Sequence, residues 1–533
     1  MKFAGIIAEY DPFHNGHAWQ LAQAKALGAQ HVAVAMSCGL TQRGALPLLP
    51  EAVRVQAALQ CGADLIFALP APCACAGAEA FARAGVRILA AAGCDALVFG
   101  AETPDAALLM EAARVLNSEA YRTELKRQLA AGARSFAAAR QAAVEALCPG
   151  TALAALLDKP NNNLAVEYCK AILEQEAPMT PVPLPRVGAG HGQALAESGH
   201  AQFASASALR ALWAEQGADA LTPYVPEKAL ELYKKAEIDG MYTDHAAAGR
   251  CELALLRAAC ARPEPFAAVR GVSEGLDHRL ENAVRSCTGL PQLLDALTTV
   301  RYPRARMRRL AMDAALGYTA DTVPALPPYL HLLGARREAL PMLKNTALPV
   351  SHSLAKLEKE NADCARMAAA QAGADLINDI WGLKYDPHMS EVIAKSGLAC
   401  CLMHNRDNTE YRNFMEDVKQ DLRETIALAK AAGIADDKII LDPGVGFAKS
   451  YENNLEVIRR LKEFNELKYP VLLGTSRKSV IGLTLDLPAA ERVEGTIVTT
   501  VMAVEAGCMF VRVHDVKENH RAIQMAEAIL DRK

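Results

Sequence analysis

A chain of 533 residues exceeds what one ordinary core holds, so it predicts two to four domains, and 51% hydrophobic with 22% charged residues excludes long disordered tracts. A formal net charge of −4 excludes a strongly basic nucleic-acid binder, so any nucleic acid must meet a local patch. The most apolar stretch, LIFALPAPCACAGA, carries two prolines and is shorter than the ~20 residues of a membrane span.

From Met1 to about Phe99, short apolar runs (FAGIIAEY, HVAVAMS, DLIFALP, DALVFG) alternate with Ala-rich helical stretches. That alternation predicts a parallel sheet with helices on both faces, and such sheets bind ligands beyond the carboxyl ends of their strands. DPFHNGH, MSCGLTQRG and FGAE each fall at such an end. From about 190 to 350, segments such as CELALLRAACARPEP and LPQLLDALTTVRYPRARMRRLAMDAALG show helical periodicity with few strand signals. From about Ala370 the alternation returns with DLINDI, ACCLMH, KIILDPGVGF, PVLLGTSRKS and MFVRVHDV. This has the look of a (β/α) barrel, yet it offers five strands where such a barrel needs about eight. The expected architecture is thus α/β: a Rossmann-like nucleotide-binding domain over 1–190, a helical domain over 191–368, and a partial TIM-barrel fragment over 369–533.

The 14 cysteines are scattered, as at Cys73, Cys75, Cys94, Cys400 and Cys401, without paired C-x-x-C spacing. Reduced thiols, no zinc and a cytoplasmic location are expected. The N-terminus shows no basic region followed by a long apolar run, so no signal peptide is inferred.

A strand running into His14-Asn15-Gly16-His17 and then a helix puts backbone N–H groups and imidazoles where anionic phosphates are stabilised. Gly16 permits close backbone approach, and the two imidazoles can hydrogen-bond phosphate oxygens as charge builds in a displacement at phosphorus. The plain alternative is two loop histidines. GIIAEYDPFHNGH resembles the HxGH signature of the nucleotidyltransferase superfamily. Its continuation through AVAMSCGLTQRG, GADLIFALP, LVFGAE, PNNNLAVEYCKAI, PLPRVGAGH, FASASALR, GVSEGLDHRL, VRYPRARMRRL and PPYLHLLG resembles the bacterial tRNA(Met) cytidine acetate ligases over roughly residues 1–365.

That resemblance implies activation of acetate with ATP to acetyl-adenylate, and transfer of the acetyl group to the wobble cytidine of elongator tRNA(Met), giving N4-acetylcytidine. It implies catalytic roles for His14 and His17 and an ATP site of Ile7, His14, Gly16, His17, Gln20, Gly100, Asn162 and Arg186. Magnesium is expected to offset the triphosphate charge. FASASALR, with Ser205, Ser207 and Arg210, resembles a second phosphate signature, or is simply a Ser-capped helix start. The Arg301, Arg304, Arg306, Arg308 and Arg309 cluster is the candidate tRNA contact, against the plain reading of a solvated helix face. Two departures stand out: Cys38 lies where the family has a Ser-Gly-Asn-like turn, and Glu51-Ala52 replaces a Lys-Trp pair.

LDPGVGFAKS, LLGTSRKS and FVRVHDV resemble dihydropteroate synthase from about Ala369 to Lys533. The resemblance implies a pterin site of Asn378, Asp442 and Lys478, with Ser479 on the p-aminobenzoate side and Arg512 and His514 on the leaving pyrophosphate. A carboxylate and an amide can read a pterin edge while Arg and His neutralise a diphosphate. The first three strands of such a synthase have no counterpart, so this portion is expected to be an inactive remnant joined near Met367–Gly373. Two other readings stay open: a folate-pathway synthase, possibly completed by a second polypeptide, and an RNA-binding protein whose nucleotide site has decayed.

Overall fold

The computed structural model describes residues 1–133, 135–186, 203–261, 263–320, 323–372, 376–396 and 399–530. Two compact units emerge, Met1–Gly373 and Ala374–Lys533. The boundary expected near 190 lies outside the described residues.

The first unit is built on seven strands: β1 (Phe3–Ala8), β2 (His31–Ser37), β3 (Leu65–Leu69), β4 (Ala96–Ala101), β5 (Thr180–Pro185), β6 (Leu330–Ala335) and β7 (Val350–Ser351). Their order is β5-β4-β1-β2-β3-β6-β7. Neighbours run parallel except β3 and β6, which are antiparallel. β2 and β4 flank β1 on opposite sides, so the strand order reverses there. A crevice opens at such a point in an open α/β sheet.

Burial of nearly every residue of β1–β4 explains why they read as continuous apolar runs. One apolar cluster lies on each face of the sheet. The helix Ala78–Ala91 sits close to β1 because Gly85 has no side chain: a Cβ there would lie 2.5 Å from Ile7 Cδ1.

β6 and β7 arise inside the stretch expected to be helical, and β6 extends the first sheet. The helix Ala362–Ala372 also packs into this unit, burying Cys364, Met367 and Ala368.

The second unit holds β8 (Leu376–Asp379), β9 (Ala399–Met403), β10 (Ile439–Asp442), β11 (Leu472–Leu473) and β12 (Phe510–Val511). β10-β9-β8 form one parallel sheet and β11-β12 another, linked by a parallel bridge between Leu441 and Val471. These are the five strands expected, and they form no closed barrel among the described residues.

Candidate functional sites

Beyond the ends of β1 and β4 lies a cavity of about 450 Å³. Ile7, His14, Gly16, His17, Gln20, Gly100 and Arg186 all line it. Between β1 and the helix Asn15–Ala26 the chain passes through Tyr10 at φ 49°, a left-handed conformation costing roughly 1–2 kcal/mol for a non-glycine residue. Burial of its ring offsets that cost: Tyr10 is 1% exposed and packs edge-on against Phe13 and His17, each at 4.9 Å.

The two histidines cap that helix. His14 Nδ1 accepts from the Gly16 N–H at 3.1 Å, and His17 Nδ1 accepts from the His14 N–H at 3.2 Å. The H-x-G-H spacing is therefore a capping box written in imidazoles. The rings stack at 3.7 Å. Gly16 is required because a Cβ would lie 2.9 Å from the His14 ring. Burial and the Arg186 charge push His14 down to about 4; burial, His14 and Arg186 push His17 well below its usual value. Both rings are neutral at pH 7. Since each Nδ1 is an acceptor, each proton sits on Nε2, leaving two N–H donors at a helix N-terminus.

The rest of the cavity wall divides between committed polar groups and apolar surface. Gln20 Nε2 donates to the Val98 carbonyl at 3.1 Å, tying the helix to β4. Asn162 lies behind the lining: it is fully buried, its Oδ1 accepts from the Thr103 N–H at 3.0 Å, and its Nδ2 donates to Thr103 Oγ1 at 3.1 Å. Asn161 and Asn163 line the cavity on either side of it. Glu9 lines it as well, and so do Gln42, Arg43, Phe81, Phe99 and Tyr168, which were not singled out from sequence. Glu9 accepts from the Gln42 N–H at 2.6 Å, and burial raises its carboxyl.

FASASALR opens a helix as its capping reading has it. Ser205 caps the helix Ala206–Gln216 by accepting from the Ala208 N–H at 3.3 Å, and it lines the cavity; Ser207 Oγ lies 3.1 Å from Ser205 Oγ. Arg210 reaches back to Asp11, donating to its carbonyl at 2.6 Å and to its carboxylate at 3.1 Å.

A triphosphate would bring magnesium to carboxylates that are already engaged: Glu9 by Gln42, and Asp11 by the Leu48 N–H and Arg210. No group of three His, Cys, Asp or Glu residues among the described residues could cage a metal.

The two departures meet each other. The Cys38 thiol donates to Glu51, and the Gln371 amide lies 3.6 Å from the same sulfur. Gln371 is held in turn by Tyr329 and His331, both at 2.8 Å, and burial pushes the Cys38 thiol far up, leaving it protonated.

The arginine cluster opens the helix Arg304–Ala315. Arg308 forms a two-pronged pair with Glu252 at 2.5 and 2.7 Å, and Glu252 is 5% exposed. Arg301 pairs with Glu274 and Arg304 with Asp295, both near the surface. Arg306 is exposed and lies over the Tyr302 ring at 5.0 Å. The helix abuts the loop before it in space: Gly44 (φ 77°) packs where a Cβ would lie 3.0 Å from Arg309 Cα, and Arg309 donates to the Gln42 carbonyl at 3.4 Å.

In the second unit, Arg512 bridges Asn378 at 2.7 Å and fully buried Asp442 at 3.1 Å. Lys478 donates to the Val445 carbonyl, lies over Phe447, and is lowered to about 8 chiefly by burial. Asn378, Asp442, Lys478 and Arg512 thus converge at the strand ends. His514 is turned to Ser476, its Nδ1 2.9 Å from Oγ, and Ser479 stands exposed at the start of the helix Ser479–Leu485. A relay centred on buried His404 lies nearby: Asp421 holds His404 at 2.9 Å, His404 holds Lys449 at 2.8 Å, and burial lowers Lys449 to about 7.

The family described as HIGH Nucleotidyl Transferase matches residues 1–385, and the family described as Pterin binding enzyme matches residues 357–514. The tRNA(Met) cytidine acetate ligase of Syntrophotalea carbinolica is 32% identical over 401 residues, covering 70% of this chain and 92% of that relative. The crystal structure of Thermotoga maritima TmcAL bound with alpha-thio ATP superposes with a TM-score of 0.63 at 25% identity, over 70% of this chain and 92% of that one. The dihydropteroate synthase of Clostridium beijerinckii is 59% identical over 165 residues, which are 31% of this chain and 61% of that relative. The chain therefore spans only about three-fifths of the synthases it matches.

Proposed function

The chain belongs to the HIGH nucleotidyl transferase family, alongside the tRNA(Met) cytidine acetate ligases, and from that premise we propose that its first unit activates acetate with ATP and acetylates the wobble cytidine of elongator tRNA(Met). The observation that carries this reading is the pair of neutral imidazoles, each committed at Nδ1 to a backbone N–H and free to donate from Nε2.

In the first step an acetate oxygen attacks the α-phosphorus of ATP and the bond to the β-phosphate bridging oxygen breaks, giving acetyl-adenylate and pyrophosphate. His14 and His17 donate to the oxygens on which charge builds, and the helix N-terminus adds its partial positive charge. Arg186, and Arg43 across the cavity, offset the charge of the departing pyrophosphate. Phe81, Phe99 and Tyr168 offer apolar surface to the nucleotide base. In the second step the cytidine N4 amine attacks the acetyl carbon, AMP leaves, and the amine proton is released. Magnesium bound with the triphosphate would offset the charge on the phosphate oxygens, and the carboxylates nearest to it would be those of Glu9 and Asp11, already engaged by the Gln42 and Leu48 N–H groups and Arg210. Asn162 acts by holding the Glu102–Thr103 turn under Asn161 and Asn163.

For the arginine cluster we assign the tRNA backbone to Arg304 and Arg306, with Arg301 beside them, while Arg308 serves chiefly to hold Glu252. The 1–190 and 191–368 parts act together as the ligase. The 369–533 part keeps pterin-facing residues but, alone, makes no dihydropteroate. Acetate-dependent exchange of labelled pyrophosphate into ATP by the full chain tests the ligase reading. Exchange that requires acetate supports it; nucleotide binding without exchange sinks it.

A further inference from the structure

The five strands of the second unit run parallel in the order β8-β9-β10-β11-β12, with β10 and β11 joined through one bridge. Among the described residues β8 pairs only with β9 and β12 only with β11, so each leaves one edge unpaired. Open parallel edges are unusual, because parallel sheets are normally covered on both faces and closed or protected at their margins.

Large apolar side chains gather on the β12 side. Met509 is 67% exposed and Phe510 40%, just before and within β12. On the following helix Val516–Ile529, Met525 is 63% and Ile529 70% exposed, one turn apart on a single stripe. That helix uses its other face, through Asn519 and Ala526, with Asn519 accepting from Thr500 Oγ1 of the helix Val493–Ala506 at 2.7 Å. In a β/α barrel the helix after a strand covers the groove between that strand and the next, so a next β/α unit would pack beside this helix.

The size of the gap identifies its occupant. The 165 matched residues are 61% of the Clostridium beijerinckii synthase, which leaves on the order of 100 residues of that relative unmatched. At roughly 30 residues per β/α unit, that is about three units, the number five strands need to reach eight. A second copy of this chain would instead bring five more strands and overshoot closure.

We propose that the free edges of β8 and β12, with the Met525–Ile529 stripe, dock a separate polypeptide carrying three β/α units of a pterin-binding barrel, completing the site around Asn378, Asp442, Lys478 and Arg512. This is independent of the ligase reading, which concerns the first unit. The test co-expresses the tagged full chain with the segment of the Clostridium beijerinckii synthase that lies outside the match. A one-to-one complex by sedimentation is expected, with dihydropteroate formation that the chain alone lacks. The Met525→Asp, Ile529→Asp double variant should lower recovery of the complex at least tenfold while leaving acetate-dependent exchange unchanged, and an unchanged denaturant unfolding transition of the second unit reports that this unit still folds. Absence of a complex overturns the proposal. So does a homodimer that the double variant dissolves, and so does dihydropteroate formation by the chain alone.

Discussion

In the first unit, β1 to β4 lie between two apolar clusters, and the cavity sits in a crevice whose walls come from both sides of the sheet. In the second unit, five similar parallel strands hold four converging polar side chains, and among the described residues the two outer strands each pair on one side alone. The difference teaches that site residues and site support are separable. Asn378, Asp442, Lys478 and Arg512 converge, whereas among the described residues β8 and β12 beside them each pair on one side alone. In the first unit even a strained Tyr10 is locked by packing, as preorganised chemistry requires.

The sharpest way to break this comparison is to remove one donor from each site. His14→Ala should cut acetate-dependent pyrophosphate exchange by at least about 100-fold, the low end for a positioned catalytic donor. Lys478→Ala should leave exchange untouched; equal losses from both variants would end the claim that the units do separate chemistry.

A stability pair sharpens the point. Met367→Ala, in the fully buried part of the helix Ala362–Ala372, should destabilise the first unit by about 2–5 kcal/mol in denaturant unfolding. Met525→Ala, on the exposed stripe, should change the second by no more than about 0.5 kcal/mol.

Within the arginine cluster, Arg304→Glu with Arg306→Glu should weaken tRNA binding on the order of tenfold at fixed salt and spare exchange. Arg308→Glu should instead lower the unfolding midpoint, since it strands buried Glu252.

The smallest effect concerns pH. His14 takes up its proton near 4 when folded, against about 6.5 in an unfolded chain. Between those values the unfolded state binds more protons, so stability of the first unit should decline as pH falls from 6.5 towards 4. Exchange should show no histidine limb near 6.5. A limb there would mean that a charged imidazole is the working form.

Much of this was legible in the sequence, and for physical reasons. HVAVAMS is β2 residue for residue, because a strand buried on both faces must be apolar throughout. TPVPLP escaped recognition as β5 because it carries three prolines. Thr180 and Arg186 donate towards β4, and the prolines occupy the alternate positions at the sheet's outer edge, where no donor is needed. LHLLGA was masked by its helical surroundings. In the sites, H-x-G-H pointed to two imidazoles at a helix N-terminus, where His14 and His17 lie, but PNNN could not reveal which asparagine faces inward. Nor could the arginine run disclose Glu252, Asp295 and Glu274 as partners, since those carboxylates lie 9 to 56 residues away.

The helix Ala362–Ala372 lies where the two family matches overlap, across 357–385, yet its side chains belong to the first unit's interior, with Gln371 held by Tyr329 and His331. Anyone excising the second unit by gene surgery at the limit of its family match would therefore pull a packed helix out of the first unit. A clean cut has to fall after residue 372, and what is removed there leaves without the helix that leads into its own first strand.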